Sequence, residues 1–559
     1  MLATALLLLH AVLAVGSLWS ASPTFDEVSH LPAGLAIVAT GDVWLNPQHP
    51  PLVKELAGLA AGTLRPRLPL AGAAYRAGDQ WGFGREVLYL AGNDPMALVR
   101  AGRLPVVAMS LLAAVVCFVW GRKRYGDVGG LLALALYAGS PTILAHATLV
   151  TTDVPATLGM LATFWLWWRA TRGTARTEVA RATDGADPGG GPPSPPVDLR
   201  SSLLPWVLCG VALGVALASK FSALLLPPMM LACDMIANGR RDLRRRLVGY
   251  AVTGVAAIVV VQASYLSLAA PLRYLHDTGL VYGTTSRAYL YYLAGAFAPR
   301  FPHYFLVATA VKATPAELLA MAGALVAAWL RRERWRDDLY LWLPALGWFA
   351  AMSWLAVDIG VRYVLPAWAM LFVLAGALAP ELLRRTRLLA RPGRLGPALL
   401  VALAVTQVGE AAFSFPGYIS YANRLAGGRA HLTRWLDDSN VDWGQSFYRL
   451  PGWLAQRGID HARVLPMGSA TVPMQASGVR LEGMLASDWG APRPGAYVIS
   501  AHQLVRGLER ARSGTPTDWL RRYEPTDTFD GSMFLYVFPP PGSTAGGPDA
   551  GATMPPRTE

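Results

Sequence analysis

Apolar runs of roughly 17–22 residues recur along this chain, each long enough to cross the hydrocarbon of a bilayer as a helix. They fall at about 1–20, 104–120, 128–146, 154–168, 203–219, 221–237, 247–268, 303–330, 338–356, 361–380 and 395–412, which predicts about 11 spans. Only 15% of the 559 residues are charged and 53% are hydrophobic, whereas an ordinary soluble domain is about a quarter charged. The net charge of +13 would suit a nucleic-acid binder if its arginines were pooled, but they lie between spans. Basic residues crowd 122–124, 169–200, 240–246, 331–336 and 384–394, while the turns near 147–153 and 357–362 carry only Arg362. Such a bias places the basic loops in the cytoplasm and the N-terminus inside. Nucleic-acid partners are not expected.

Residues 1–20 have the length of a signal peptide, yet no basic residue precedes the apolar run, and an uncleaved first span is favoured. The stretch 21–103 is then an outer loop, with interfacial helices expected at 52–64 and 96–103. Cys117, Cys209 and Cys233 all lie in apolar runs, so no disulfide framework is expected. The inner loop 171–200 contains ADPGGGPPSPPVD, too rich in Gly and Pro to pack, and is expected to be a disordered linker. Residues 1–412 form the membrane domain. Strand-like runs near 463–467, 496–500 and 533–538, with helices near 450–457 and 517–522, predict a small outer α/β domain over 413–538. A Gly/Pro-rich tail follows from Pro539.

The polar residues that could do chemistry gather at the predicted outer face: Asp26 and Glu27; Asn46, His49 and Lys54; His146 and Asp153; Lys220; Lys312; Asp358 and Arg362; Asp438, Asn440 and Asp442. Acids at a membrane boundary are costly unless they face water, a partner or a substrate. Each has a plainer reading. Lys220 can snorkel from a span end, His146 can cap a helix, Arg362 can anchor at the interface, and the 438–442 cluster can be turn chemistry. Pro50-Pro51 can simply stiffen a turn, or start a helix whose amides, with His49 and Lys54, face a phosphate.

Several ordered motifs decide between these readings. Phe25-Asp26-Glu27 follows the first span, then Asn46-Pro-Gln-His49-Pro-Pro-Leu-Val-Lys54. Further on come Thr151-Thr-Asp153-Val-Pro, Val311-Lys312-Ala-Thr-Pro315 and Asp358-Ile-Gly-Val-Arg362-Tyr-Val-Leu-Pro. Last are Tyr418-Ile-Ser-Tyr-Ala-Asn423-Arg-Leu-Ala-Gly-Gly and Asp438-Ser-Asn-Val-Asp-Trp-Gly-Gln445. Together they resemble glycosyltransferase family 39, the polyprenyl-phosphate-sugar-dependent enzymes related to protein O-mannosyltransferases and lipid A aminoarabinose transferases. The resemblance departs at Asp358, where the family has Asn, and at Gln48-His49, where aminoarabinose-type relatives have an acid and a lysine.

The resemblance implies the GT-C architecture and inverting transfer of a sugar from a polyprenyl-phosphate donor to an acceptor hydroxyl outside the membrane. It implies Asp26 as general base supported by Glu27; the cations gathered at that face, Arg362, Lys312, His49 and Lys54, are expected to hold the donor phosphate. Asp153, His146, Asn46 and Asp358 would contact substrate or a metal, and Asp438, Asn440 and Asp442 would lie on the acceptor side. Oxygen and imidazole ligands from Asp26, Glu27, His49 and Asp153 would suit Mg²⁺, Mn²⁺ or Zn²⁺; metal dependence stays open. The acceptor (protein, lipid or glycan) is not named by any residue. The Ala, Gly and Arg content points to a GC-rich bacterial genome, hence a plasma-membrane protein. The alternative is a non-catalytic carrier-lipid binder or transporter, which would be expected to place charge near the bilayer midplane.

Overall fold

The computed structural model describes the chain except residues 185–198, 268, 284–288, 389–394, 469–473, 491, 513–518 and 540–559. Among the described residues six helices are long and apolar enough to cross a membrane: Leu2–Ser20, Pro95–Ala138, Phe221–Asn238, Leu243–Tyr265, Val361–Arg384 and Leu395–Ser414. Leu203–Ser219 and Pro315–Leu330 are shorter apolar helices. The expected spans at 154–168 and 338–356 lie within the helices Asp153–Asp184 and Trp335–Leu355. The chain is an integral membrane protein, helical as expected. Leu365–Ala375 is buried on every side, as a helix that is apolar all round must be. Leu2–Ser20, Leu243–Tyr265 and Leu395–Ser414 surround the bundle and expose Leu8, Val12, Val255, Val259, Val401 and Val405. Cys117, Cys209 and Cys233 are buried and free.

Hydropathy misjudged three boundaries. The expected interfacial helix at 96–103 is the start of a long helix from Pro95 that runs to a kink at Gly126 (φ 79°), beyond which a second helical segment reaches Ala138. The expected span 128–146 begins after that kink but ends early: the helix stops at Gly139 and a short helix, Pro141–Ala147, restarts with Ser140 as its cap. The expected span 303–330 is two helices, Tyr304–Lys312 and Pro315–Leu330. Proline disfavours helical geometry in the residue before it, and Thr314 is extended there, closing a capping box with Glu317. The helix Asp153–Asp184 enters the expected 171–200 linker, and a new helix begins at Leu199. The linker between them and nearly all of the tail from Pro539 lie outside the described residues.

A hairpin of β1 (Tyr291–Leu293) and β2 (Ala296–Ala298) lies against the outer domain. That domain holds β3 (His461–Leu465), β4 (Met474–Ala476), β5 (Val479–Gly483), β6 (Gly495–Ser500), β7 (Asp527–Phe529) and β8 (Met533–Phe538). Their order is β4-β5-β3-β6-β8-β7, with β3 parallel to β5 and β6 and the other pairings antiparallel. The three strands expected from the sequence are β3, β6 and β8; the short strands and the helix Ala501–Arg512 are additional. This domain is stitched to the start of the bundle. Phe25 N donates to Trp443 O at 2.9 Å, Ser22 N to Gln445 O at 2.8 Å, and Tyr448 N to Ser22 Oγ at 2.8 Å.

Candidate active site

Asp26 stands in the first turn of the helix Phe25–Thr40, where the helix dipole favours a negative charge. The register of that turn is fixed by its neighbour. Glu27 closes a capping box with Thr24, whose N and Oγ1 each donate to it at 2.9 Å. It also accepts from Val150 N at 2.8 Å and pairs with Arg103 at 2.6 Å, both side chains fully buried. Glu27 thus has no face toward a substrate, and a catalytic part for it is corrected to a positioning one. Arg103 was missed in the sequence, although a charge inside the apolar stretch 96–120 was a usable signal.

Arg362 reaches Asp26 from a segment 336 residues further along the chain. It sits on the short turn Val361–Val364, held because Val361 N donates to Asn440 Oδ1 at 2.9 Å. Arg362 Nη1 lies 2.9 Å from Asp26 Oδ2 and 3.9 Å from Asp153 Oδ2. Lys220 Nζ donates to Asp153 Oδ1 at 2.5 Å, so two acids and two cations alternate. Trp443 lies 4.2 Å from the Arg362 guanidinium and Tyr363 lies 4.3 Å from Lys220 Nζ, both over ring faces, which adds cation–π attraction. Of the two acids, the Asp26 side chain is 20% exposed and that of Asp153 is 2% exposed. Only Asp26 is open to an incoming group. Arg362 Nε is buried without a partner, so this guanidinium has an unused donor.

Asp26 and Arg362 open on a cavity of about 690 Å³, also lined by Gln48, Asp438, Trp443 and His502. Asp438 is at its wall. His502, missed in the sequence, is brought in by the outer domain and held by Asp437 at 3.0 Å, which Arg506 also contacts at 3.0 Å. Burial opposes charge on His502, but the bonded Asp437 carboxylate outweighs it and raises its pKa.

The other expected ligands of phosphate and substrate are occupied elsewhere. Lys312 is buried and its Nζ donates to the carbonyls of Ile419, Tyr421 and Asn440 at 2.7, 2.5 and 2.8 Å. Lys54 is buried too, donating to Asn46 O, Asn46 Oδ1 and His49 O at 2.6, 3.1 and 2.8 Å; burial pulls its pKa down to about 7 against Asp277 and Glu55. The His49 ring packs edge-on to His30 at 4.8 Å. Burial, then the charges around it, hold its pKa well below the ordinary histidine value. Asn46 bonds Ser29 and Gln80. These three residues shape the 46–54 turn rather than face a donor.

Asn440 ties Tyr304, Ile359 and Asp437 to the Arg362 turn. Asp442 accepts from Gly444 N at 3.0 Å, with its pKa raised to about 6 by burial. Both are positioning residues, not acceptor contacts. Asp358 accepts from Phe301 N at 2.6 Å behind the cavity, and His146 is buried beside Trp443. Lys220 does not snorkel; it is the partner of Asp153. Among the described residues no group of three or more His, Cys, Asp or Glu is placed to hold a metal. Glu27 is spent on Arg103, and Asp26 and Asp153 share arginine and lysine, so the residues named for a divalent cation do not form its ligand set.

The Lys312 assignment has a direct check. Lys312→Met strands three buried carbonyls, each worth about 1–3 kcal/mol, so the melting temperature should fall clearly while donor affinity of the folded fraction is retained. A lysine that held phosphate would give the reverse.

A family described as dolichyl-phosphate-mannose-protein mannosyltransferase matches residues 88–178. That stretch carries the Asp153 motif. The chain resembles glycosyltransferase family 39. No curated protein sequence matches it. Solved structures similar to it include ArnT from Cupriavidus metallidurans in the apo state, at 16% identity and a TM-score of 0.48, covering 95% of this chain and 97% of that one. ArnT bound to undecaprenyl phosphate gives 15% identity and a TM-score of 0.44, with the same coverage. The Archaeoglobus fulgidus oligosaccharyltransferase gives 14% identity and a TM-score of 0.46, covering 74% of this chain and 55% of that one.

Proposed function

We propose that the chain is a membrane glycosyltransferase of GT-C architecture that moves a sugar from a polyprenyl phosphate to an acceptor hydroxyl at the outer face. The observation that carries the reading is the contact between Asp26 and Arg362 at a cavity wall, with Asp26 the accessible acid and Arg362 holding an unused donor. The motifs around both residues and the family match over 88–178 support it.

In this reading the acceptor O–H gives its proton to the Asp26 carboxylate as its oxygen bonds to the anomeric carbon. The bond from that carbon to the phosphate oxygen breaks, and the electron pair leaves on the polyprenyl phosphate. Attack opposite the leaving group inverts the anomeric centre. Arg362 meets the charge that grows on the phosphate; guanidinium suits this because its planar fork can hold two oxygens at once. Before donor binds, Arg362 neutralises Asp26. A phosphate that draws the guanidinium toward itself releases the carboxylate to act as base, so the base is armed only when donor is present. Asp153 and Lys220 sit behind and keep the arginine from following completely.

Mass spectrometry of surface glycans and lipids from a deletion strain and its parent tests the reading. The parent should carry a sugar that the deletion lacks, restored by the wild-type gene and not by Arg362→Lys. Lysine keeps the charge but loses the fork, and kcat/KM with a polyprenyl-phosphate sugar should drop about 10²–10³-fold. Identical glycomes in deletion and parent would overturn the proposal.

A further inference from the structure

The opposite end of the bundle contains a second polar cavity that the transfer reaction does not use. The turn Arg331–Arg334 joins Pro315–Leu330 to Trp335–Leu355. It lies about 24 Å along the Pro315–Leu330 helix from the Thr314 end, near which Lys312 reaches Asn440, the residue that holds the Arg362 turn. There it meets the Gly126 kink and the helix Leu378–Leu388 around a cavity of about 540 Å³. Arg124, Arg331, Arg334 and Arg384 line it, against Glu333 and Glu381.

The charges around this cavity are unevenly paired. Arg331 is 5% exposed, yet no carboxylate pairs with it among the described residues, and its Nη1 is buried without a partner. Its one favourable contact is the Tyr125 ring at 5.0 Å. Arg124 is 8% exposed; its two terminal nitrogens are spent on Asp337 at 3.0 Å and Asp338 at 2.6 Å, leaving Nε unpartnered. Arg384 pairs with Glu381 at 3.2 Å. A buried guanidinium without an anion is strongly unfavourable, so the Arg331 side of the cavity is short of one negative group. Arg331 and Arg124 both line this cavity and each keeps one buried N–H donor without a partner; guanidiniums suit tetrahedral phosphate oxygens.

Depth in the membrane selects the source of that phosphate. Trp329 and Trp335 flank the Arg331 turn and are 63% and 40% exposed, as tryptophans at the headgroup level are. Basic pockets between membrane helices at that depth suit anionic headgroups. We propose that the Arg124–Arg331 cavity binds the phosphate group of an anionic phospholipid from the leaflet opposite the Asp26 cavity.

Native mass spectrometry of the full chain in detergent, with phosphatidylglycerol or phosphatidylcholine added, tests this. Phosphatidylglycerol should be retained about tenfold better than phosphatidylcholine, and Arg331→Gln should erase that preference. Arg334→Gln alters an exposed lining residue, will fold even if the first variant does not, and should weaken retention about threefold. Arg336→Gln, on the same face but stacked on Trp335 outside the cavity, should leave it unchanged. Displacement by millimolar inorganic phosphate would support the same chemistry with a free anion as competitor; its failure to displace would favour the lipid headgroup. Equal retention of both lipids, wild-type retention by Arg331→Gln or by a folded Arg334→Gln, or an equal loss in Arg336→Gln would overturn the proposal.

Discussion

Asp26→Asn is expected to lower the turnover of a polyprenyl-phosphate sugar by about 10²–10⁴-fold, the usual worth of a positioned general base. Asparagine keeps the shape and still accepts a hydrogen bond from Arg362, which now lies 2.9 Å from Asp26. Donor binding should therefore persist, and quenching of Trp443, stacked on the same guanidinium, offers a readout separate from turnover. The variant also loosens Arg362, because the charge that held it is gone; donor affinity should stay equal or rise. Loss of both binding and turnover would mean that Asp26 only organises the site. Undiminished turnover would remove it from the chemistry. A carrier-lipid transporter would keep its flux in this variant, so the same protein separates the two classes of function.

Glu27→Ala should cost about 3–5 kcal/mol of stability, the range for removing one partner of a buried ion pair. The Arg103 guanidinium would remain fully buried, facing the carbonyls of Leu18, Ala21 and Ser22 with no anion. Val150 N and the Thr24 cap would lose their acceptor. The expected result is a large drop in melting temperature or loss of folded protein in detergent. The double variant Glu27→Gln with Arg103→Met should recover part of it, because neither charge then stays buried. A catalytic Glu27 would instead leave the melting temperature alone and abolish turnover.

These two neighbours show what a sequence can and cannot convey here. The spans were legible because lipid demands about 20 apolar residues per crossing, as was the break near Gly126 between two of them, but the breaks at Gly139 and Thr314 were hidden because hydropathy does not register backbone geometry. Asp26 and Arg362 were legible through long ordered motifs. The direction of a side chain was not. Glu27 follows Asp26 immediately, yet one helical step of about 100° turns it from the cavity into the bundle. Lys312 and Lys54 read as phosphate-binding cations, but their partners are almost all backbone carbonyls, which no residue type announces. Lys220 reads as a span-end anchor until Asp153, 67 residues earlier, is seen to face it. Long-range pairing decided most of the reassigned residues.

The stitching of residues 22–25 to 443–448 makes the two halves of this molecule inseparable in practice. The backbone of Phe25, the residue before the base, hangs on Trp443, whose ring also supports Arg362. A truncation ending before Trp443 would delete no acid or guanidinium of the site, but would release both from their shared brace. Such a fragment should insert in the membrane and be inert. Exchanging outer domains between relatives to redirect acceptor choice would need to carry the 438–448 segment with the recipient bundle, placing the graft point after it.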